Sequence, residues 1–365
     1  MKSTLTRAAL IGAATFLVTS IGTTAFAQEV TLRFQHFVSP NSGSPMYFME
    51  PWAEKIEKDS GGRIKIELYP LMQLGGKAPD QYDLIRDGAI DGGWVIPGYQ
   101  PGRFPETEAL ELPFMMPKSG ELASIAAWNF TQKYLMDDFR DVHVLAAHMH
   151  GEGLVHKKGA PLKTVEDFDG LKLRAPTRTS TLLLDKLGAV PVGMPVPAFP
   201  EALAKGVLDG GVITYEMAPS LKLDELTDSH TDVAGDRSFY NLYFIWAMNK
   251  ARYDSLPEDL KAVIDRNSGL MASQWAGAAY DLGDEDGLKV IAASDNEIAV
   301  LSEEETAKIK AVGAEVEADW IAEMSKKGYD GAALVADAKA MVVEAIDRGP
   351  WIDVQGASAG YLAGQ

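Results

Sequence analysis

The hexapeptide Gly-x-x-Asp-Gly-Gly occurs twice in this chain, as Gly88-Ala89-Ile90-Asp91-Gly92-Gly93 and as Gly206-Val207-Leu208-Asp209-Gly210-Gly211. Each copy follows an amphipathic run and precedes an apolar one. In both, the first glycine can close a helix in the left-handed conformation, Asp-Gly supplies a turn, and the apolar run reads as a buried strand. Two similar α/β units are expected. Where such strands run parallel, the residues just beyond them, 94–99 and 212–216, sit where open α/β sheets bind ligands. A cleft between two lobes is the resulting expectation.

Lys2 and Arg7 precede an apolar stretch from Ala8 to Ile21, and Ala25-Phe26-Ala27 places small residues at the −3 and −1 positions of a cleavage site. This is the pattern of a secretory signal peptide, with the mature chain starting near Gln28. The stretch is short for a membrane span and no second long apolar run follows, so a soluble exported protein is expected. The chain has no cysteine, which excludes disulfides, thiolate metal sites and a lipid attached through an N-terminal cysteine. The formal charge of −18 disfavours nucleic acid and anionic lipid as partners. It leaves an anionic small ligand open, because local donors in a closed cleft outweigh a screened distant field.

Along the chain, Val30 to Phe34 reads as a strand, His36 to Pro45 as a loop, and a helix begins near Met46 with Trp52 and Ile56 on one face, stopped by Ser60-Gly61-Gly62. Ile64 to Tyr69 alternates as a second strand, Gln73 to Lys77 is a glycine-rich turn, and Ala78 to Arg86 returns as a helix to the first hexapeptide. Pro97 to Pro117 reads as a long irregular segment and Glu121 to Phe139 as helix. Val142 to His148 reads as a strand, Thr164 to Phe168 as a short helical entry, and Lys172 to Ala175 as a strand ended by Pro176. Helix over Thr179 to Leu187, strand over Ala189 to Val192 and helix over Phe199 to Lys205 then repeat the order of the first half. A strand over Tyr240 to Met248 precedes a long helical run from Leu256 to Ala292 that could cross both lobes. Glu303 to Ile346 has the pattern of amphipathic closing helices without a long heptad seam, which points to a monomer.

The run Asp169-Gly170-Leu171-Lys172-Leu173-Arg174-Ala175-Pro176, with Gly188-Ala189 and Ala202-Leu203 to Asp209-Gly210 after it, resembles the solute-binding proteins of TRAP (tripartite ATP-independent periplasmic) transporters. So do the opening strand with its His36 loop, Gly61-Gly62-Arg63, Tyr69-Pro70 with Gln73-Leu74-Gly75, Glu111-Leu112-Pro113-Phe114 and Met248-Asn249. The resemblance implies a periplasmic receptor with two α/β lobes, each a sheet flanked by helices, joined by a long helix spanning both. Its lobes would be residues 28–151 with 240–279 and residues 152–239 with 280–365, hinged near 151 and 239. It would close on a small organic acid and deliver it to the small and large permease subunits in the membrane, driven by an ion gradient. The same bound receptor could instead contact a membrane sensor kinase. No cofactor is implied.

In this family the arginine of the Lys-x-Arg-x-Pro strand pairs with the ligand carboxylate, which makes Arg174 the expected anchor. A planar guanidinium offers parallel donors to a carboxylate. The chain departs from the family pattern at two places. Many members carry a second carboxylate-facing arginine where this chain reads His148-Met149-His150-Gly151-Glu152-Gly153-Leu154, and many carry an asparagine where Thr214 stands. Phe37 and Trp94 occupy matching first-lobe positions, with Tyr99 a little farther on and Tyr215 beside Thr214. The expected ligand has one carboxylate and a flat apolar body, such as benzoate or a hydroxybenzoate, stacked or edge-packed among these rings. Thr214, Arg178 or a histidine such as His150 would meet extra oxygens. An aliphatic 2-oxo or hydroxy acid or a C4-dicarboxylate is the alternative, although a second carboxylate would stand unpaired against apolar walls. A secreted metal enzyme built on His148, His150, His156 and Glu152 is the alternative of another class, and it lacks a convincing third ligand. A receptor rather than an enzyme is expected.

Overall fold

The computed structural model describes residues 28–350, so the expected leader lies outside the described residues. Within them the strands are β1 (Val30–Gln35), β2 (Ile64–Tyr69), β3 (Gly92–Val95), β4 (Val142–Met149), β5 (Gly153–Lys157), β6 (Lys172–Ala175), β7 (Val190–Gly193), β8 (Gly210–Thr214), β9 (Ser229–Asp232), β10 (Tyr243–Asn249) and β11 (Glu297–Val300). They form two sheets, ordered β2-β1-β3-β10-β4 and β11-β9-β5-β8-β6-β7. In the first, β2, β1 and β3 run parallel and β10 lies antiparallel between β3 and β4. In the second, β7, β6 and β8 run parallel and β5 lies antiparallel between β8 and β9. The halves repeat each other: β3 and β8 hold the same place, and the antiparallel strand of each sheet is lent by the other half of the chain.

The two hexapeptides do the same chemistry. Gly88 (φ +74°) and Gly206 (φ +69°) adopt the left-handed conformation that ends the preceding helices, Gln81–Arg86 and Phe199–Ala204. The Asp91 carboxylate accepts the Arg33 backbone N–H at 2.8 Å while its own N–H donates to the Arg33 carbonyl at 2.9 Å. Asp209 does the same with Lys172, at 2.8 and 2.9 Å. Each aspartate thus ties the start of a central strand to its parallel neighbour. The glycines after it admit close packing: a Cβ on Gly92 would lie 2.3 Å from the Phe34 ring, and one on Gly211 2.7 Å from the Arg174 Cβ. Asp91→Ala and Asp209→Ala are each expected to lower unfolding free energy by about 1.5–3 kcal/mol, the worth of a hydrogen bond to a charged acceptor. A urea melt of either variant that overlays the parent would show that the glycines alone hold the turn.

Gly269–Ala292 is the helix that joins the lobes, and it is rich in small residues along its buried face. Near its middle the Asp281 carboxylate accepts the backbone N–H groups of Gly120 (2.5 Å) and Glu121 (3.2 Å), at the start of the first-lobe helix Gly120–Phe130. One turn later Asp284 accepts the N–H of second-lobe Glu216 at 2.6 Å. Gly287 lies so close to the second lobe that a Cβ there would fall 1.8 Å from the Tyr215 carbonyl oxygen. Glu216 in turn accepts the N–H of first-lobe Ser44 at 3.0 Å, a direct contact between lobes. Among the described residues no helix is long and apolar enough to cross a membrane.

The structure departs from the sequence pattern in two places, the long helical run and the polar strands, and keeps to it in the tail. The helical run from Leu256 to Ala292 is broken into Glu258–Arg266 and Gly269–Ala292. Asn267 interrupts it, its carbonyl taken by Trp52 Nε1 at 2.6 Å, and Gly269 follows at φ +78°. The strands β5, β9 and β11 are not marked by alternation. β9 reads Ser-His-Thr-Asp yet is fully buried, because His230 bonds His156 and Asp232 pairs with Lys118. The tail forms two helices: Glu303–Lys326 packs on Arg178–Lys186, and Gly331–Arg348 packs on Gly120–Phe130 of the first lobe.

Candidate functional site

Beyond β3 and β8, at the ends the repeated hexapeptides lead to, lies a cavity partly open to solvent, with about 340 Å³ of non-atom space once that solvent is included. Its lining comes from both lobes: Phe37, Val38, Trp94, Ile96, Tyr99, His150, Leu242 and Phe244 on one side, Arg174, Val196, Ile213, Thr214 and Met217 on the other, with Tyr240 and Tyr280 between. Carbon dominates this wall, and one group carries a fixed charge.

That group is Arg174, on β6 beside β8, only 1% exposed. Its Nε donates to the Met194 carbonyl at 3.1 Å and Nη1 to the Val212 carbonyl at 2.9 Å, while Nη2 makes a long 3.5 Å contact with the Tyr99 hydroxyl. Among the described residues no carboxylate lies within ion-pair distance of it. A guanidinium carries five N–H donors, so one N–H on each terminal nitrogen is left over for an anion. Tyr99 is held in turn, its hydroxyl accepting the Val196 N–H at 3.1 Å. Glu111, near both Tyr99 and Tyr240, is pushed up to about 8 by burial, which favours its protonated form. Burial also pushes the Tyr240 and Tyr280 phenols up, keeping both protonated.

The first-lobe wall is a set of near-parallel rings. Phe37 and Phe244 each stack on Trp94, with centroids 4.9 and 4.8 Å away and planes within 8°. Trp94 Nε1 donates to His148 Nε2 at 2.9 Å, and Phe244 stacks on that imidazole too. Trp94 is therefore already engaged by neighbouring rings. A hydroxyl or methyl on a ligand ring would meet a rigid surface here, since every ring is braced by another.

Of the residues singled out from sequence, Arg174, Thr214, Phe37, Trp94, Tyr99 and His150 meet in this cavity. Tyr215 and Arg178 do not. Side chains alternate along a strand, and with Thr214 facing the cavity Tyr215 turns away to pack on His156 and His230. Arg178 starts the helix after β6 and is spent on Glu108 (3.0 and 2.8 Å) and Glu323 (2.9 Å). Tyr240, Phe244 and Tyr280 were missed: their apolar settings read equally well as core. The histidines weighed as metal ligands are dispersed. His148 bonds Trp94, His156 bonds His230 at 2.6 Å, and Glu152 pairs with Lys118 at 2.7 Å. Among the described residues no three histidine or acidic groups are arranged so that they could hold a metal ion.

Comparison with solved structures returns the same fold. A TRAP solute-binding protein from Rhodoferax ferrireducens, solved with copurified benzoate, is 43% identical with a TM-score of 0.85, covering 87% of this chain and 99% of that one. A marine metagenome TRAP solute-binding protein specific for aromatic acid ligands, solved with 3-hydroxybenzoate, is 44% identical with the same TM-score and coverage. Among characterised relatives, the C4-dicarboxylate-binding periplasmic protein DctP of Rhodobacter capsulatus is 25% identical over 71% of this chain and 76% of its own length. The family model for bacterial extracellular solute-binding proteins, family 7, matches residues 34–323, and this chain belongs to that family, the DctP-type receptors of TRAP transport.

Proposed function

We propose that this protein is the periplasmic receptor of a TRAP transporter for an aromatic monocarboxylate, benzoate or a hydroxybenzoate. The observation that carries the reading is a single buried guanidinium with unspent donors in a cavity otherwise walled by rings and aliphatic groups. One cation matches one carboxylate, and a second carboxylate would be desolvated with no cation in the wall to meet it. The ligands of the two similar structures, benzoate and 3-hydroxybenzoate, have this shape.

The ligand bridges groups on both lobes, so it binds the closed form more tightly and shifts the population toward it. We place the hinge at the two strand crossovers, near residues 151 and 239. The lobes divide close to those points, with the final helix riding on the first lobe. The receptor acts as a monomer, matures by loss of residues 1–27, and hands its cargo to the small and large permease subunits. A thermal-shift screen of refolded, ligand-stripped protein tests the ligand class, because binding raises the melting temperature by mass action. Benzoate and hydroxybenzoates should stabilise, by about 2.7 kcal/mol at a hundred times Kd. Stabilisation by C4-dicarboxylates or sugar acids alone would overturn the aromatic assignment.

A further inference from the structure

One fully buried polar atom of the cavity wall has no partner among the described residues, Nε2 of His150. The residue lines the cavity and is 1% exposed, and no described residue bonds that nitrogen. The other ring nitrogen, Nδ1, lies 3.0 Å from the Gly151 carbonyl oxygen. A carbonyl can only accept, so Nδ1 carries the proton and Nε2 presents a lone pair. Burial holds the imidazole down to about 3, with the nearby Arg174 charge acting in the same direction, so the ring is neutral at any pH near 7. Its orientation is set by Tyr240, Tyr280 and Phe244, with ring centroids 4.9, 6.0 and 6.3 Å away. His148, two residues earlier in the chain, shows the contrast: its Nε2 is already taken by Trp94.

A neutral lone pair in an apolar wall discriminates in a definite way. It repels carboxylate oxygen, so it does not share the work of Arg174. It stays unsatisfied beside a bare C–H edge, and it is satisfied by an O–H. We propose that His150 Nε2 accepts a hydrogen bond from a hydroxyl on the ligand, so that the receptor prefers hydroxylated aromatic monocarboxylates to unsubstituted ones. This rests on the reading of the cavity as an aromatic-acid site and adds the position of its second polar contact.

Calorimetric titration of ligand-stripped protein with benzoate, 3-hydroxybenzoate, 4-hydroxybenzoate and 3-methoxybenzoate tests it, the methoxy compound supplying the oxygen without the donor. The parent protein should bind at least one hydroxybenzoate about 10- to 100-fold more tightly than benzoate, the scale set by leaving one buried acceptor unpaired, and 3-methoxybenzoate no better than benzoate. In His150→Leu the hydroxybenzoate-to-benzoate ratio should collapse toward one, and in His150→Gln, whose amide oxygen can accept, part of it should return. A ratio that persists in His150→Leu, or a parent that binds benzoate as tightly as every hydroxybenzoate, overturns the proposal while leaving the aromatic-acid reading intact. Failure of all four compounds to bind overturns both. If His150→Leu does not fold, the nitrogen-15 shift of His150 Nε2 in the parent decides. It should move on adding the preferred hydroxybenzoate and stay put with benzoate, and equal movement with both refutes the assignment.

Discussion

Replacing Arg174 with alanine should weaken binding of an aromatic monocarboxylate by roughly 30- to 5,000-fold, the span that corresponds to about 2–5 kcal/mol for truncating one partner of a buried charge pair. The magnitude follows from the site's poverty. Among the described residues no other cation lines the cavity, so a carboxylate that enters the variant gives up its water for carbon walls and a few hydroxyls. The same substitution frees the Met194 and Val212 carbonyls, which the guanidinium now holds, so some loss of stability will accompany the loss of affinity. Arg174→Lys separates the two effects. It keeps a charge but presents a point donor in place of a planar fork, and binding should return only in part. Titration of both variants, alongside their urea melts, gives the comparison. An alanine variant that binds within threefold of the parent would remove Arg174 from the role of anchor.

Gly287→Ala should be among the most damaging single-methyl additions in the chain, costing about 3 kcal/mol of stability. In an exposed helix the change would gain about 1 kcal/mol in helix propensity. Here the new carbon would lie 1.8 Å from the Tyr215 carbonyl oxygen and 2.4 Å from its carbon, backbone atoms that cannot swing aside. Overlap outweighs propensity, and relief requires the second lobe to lift off the helix. Affinity should therefore fall together with stability. Gly193→Ala is the matched control, since a Cβ there meets nothing within 4 Å. Equal urea midpoints for the two variants would mean that the helix and second lobe are not in the close contact described.

Much of this was legible in the sequence because the signals were local. The Asp-Gly-Gly repeat placed β3 and β8 in equivalent positions, and the Lys-Leu-Arg-Ala-Pro strand brought Arg174 to the cavity. The failures came from chemistry that only long-range contacts decide. β9 has the composition of a loop, and its polar groups are tolerated in the interior because His156 and Lys118 arrive from elsewhere in the chain. Arg178 looked available for a ligand because nothing near it in sequence announces Glu108 and Glu323. Tyr215 failed on a one-residue question of strand phase, which cavity residue Thr214 settles by facing the other way. Tyr240 and Tyr280 could be read neither as wall nor as core until the crossover strand and the joining helix were set beside each other.

The exchange of strands between the halves has a consequence for how the chain folds. The first sheet lacks its fourth member until residues 243–249 arrive, and β5, the third strand of the second, comes from just past the first crossing. Neither sheet is drawn wholly from one contiguous stretch: the first needs β10 from beyond the second sheet's main strands, and the second gains its edge strand β11 later still. The order of assembly is set by contacts between residues far apart in sequence, which slows folding and prolongs exposure of unpaired strand edges. The first sheet is complete only once residue 249 is present and the second, whose last member is the edge strand β11, only at residue 300, so both wait on chain that follows the second crossing.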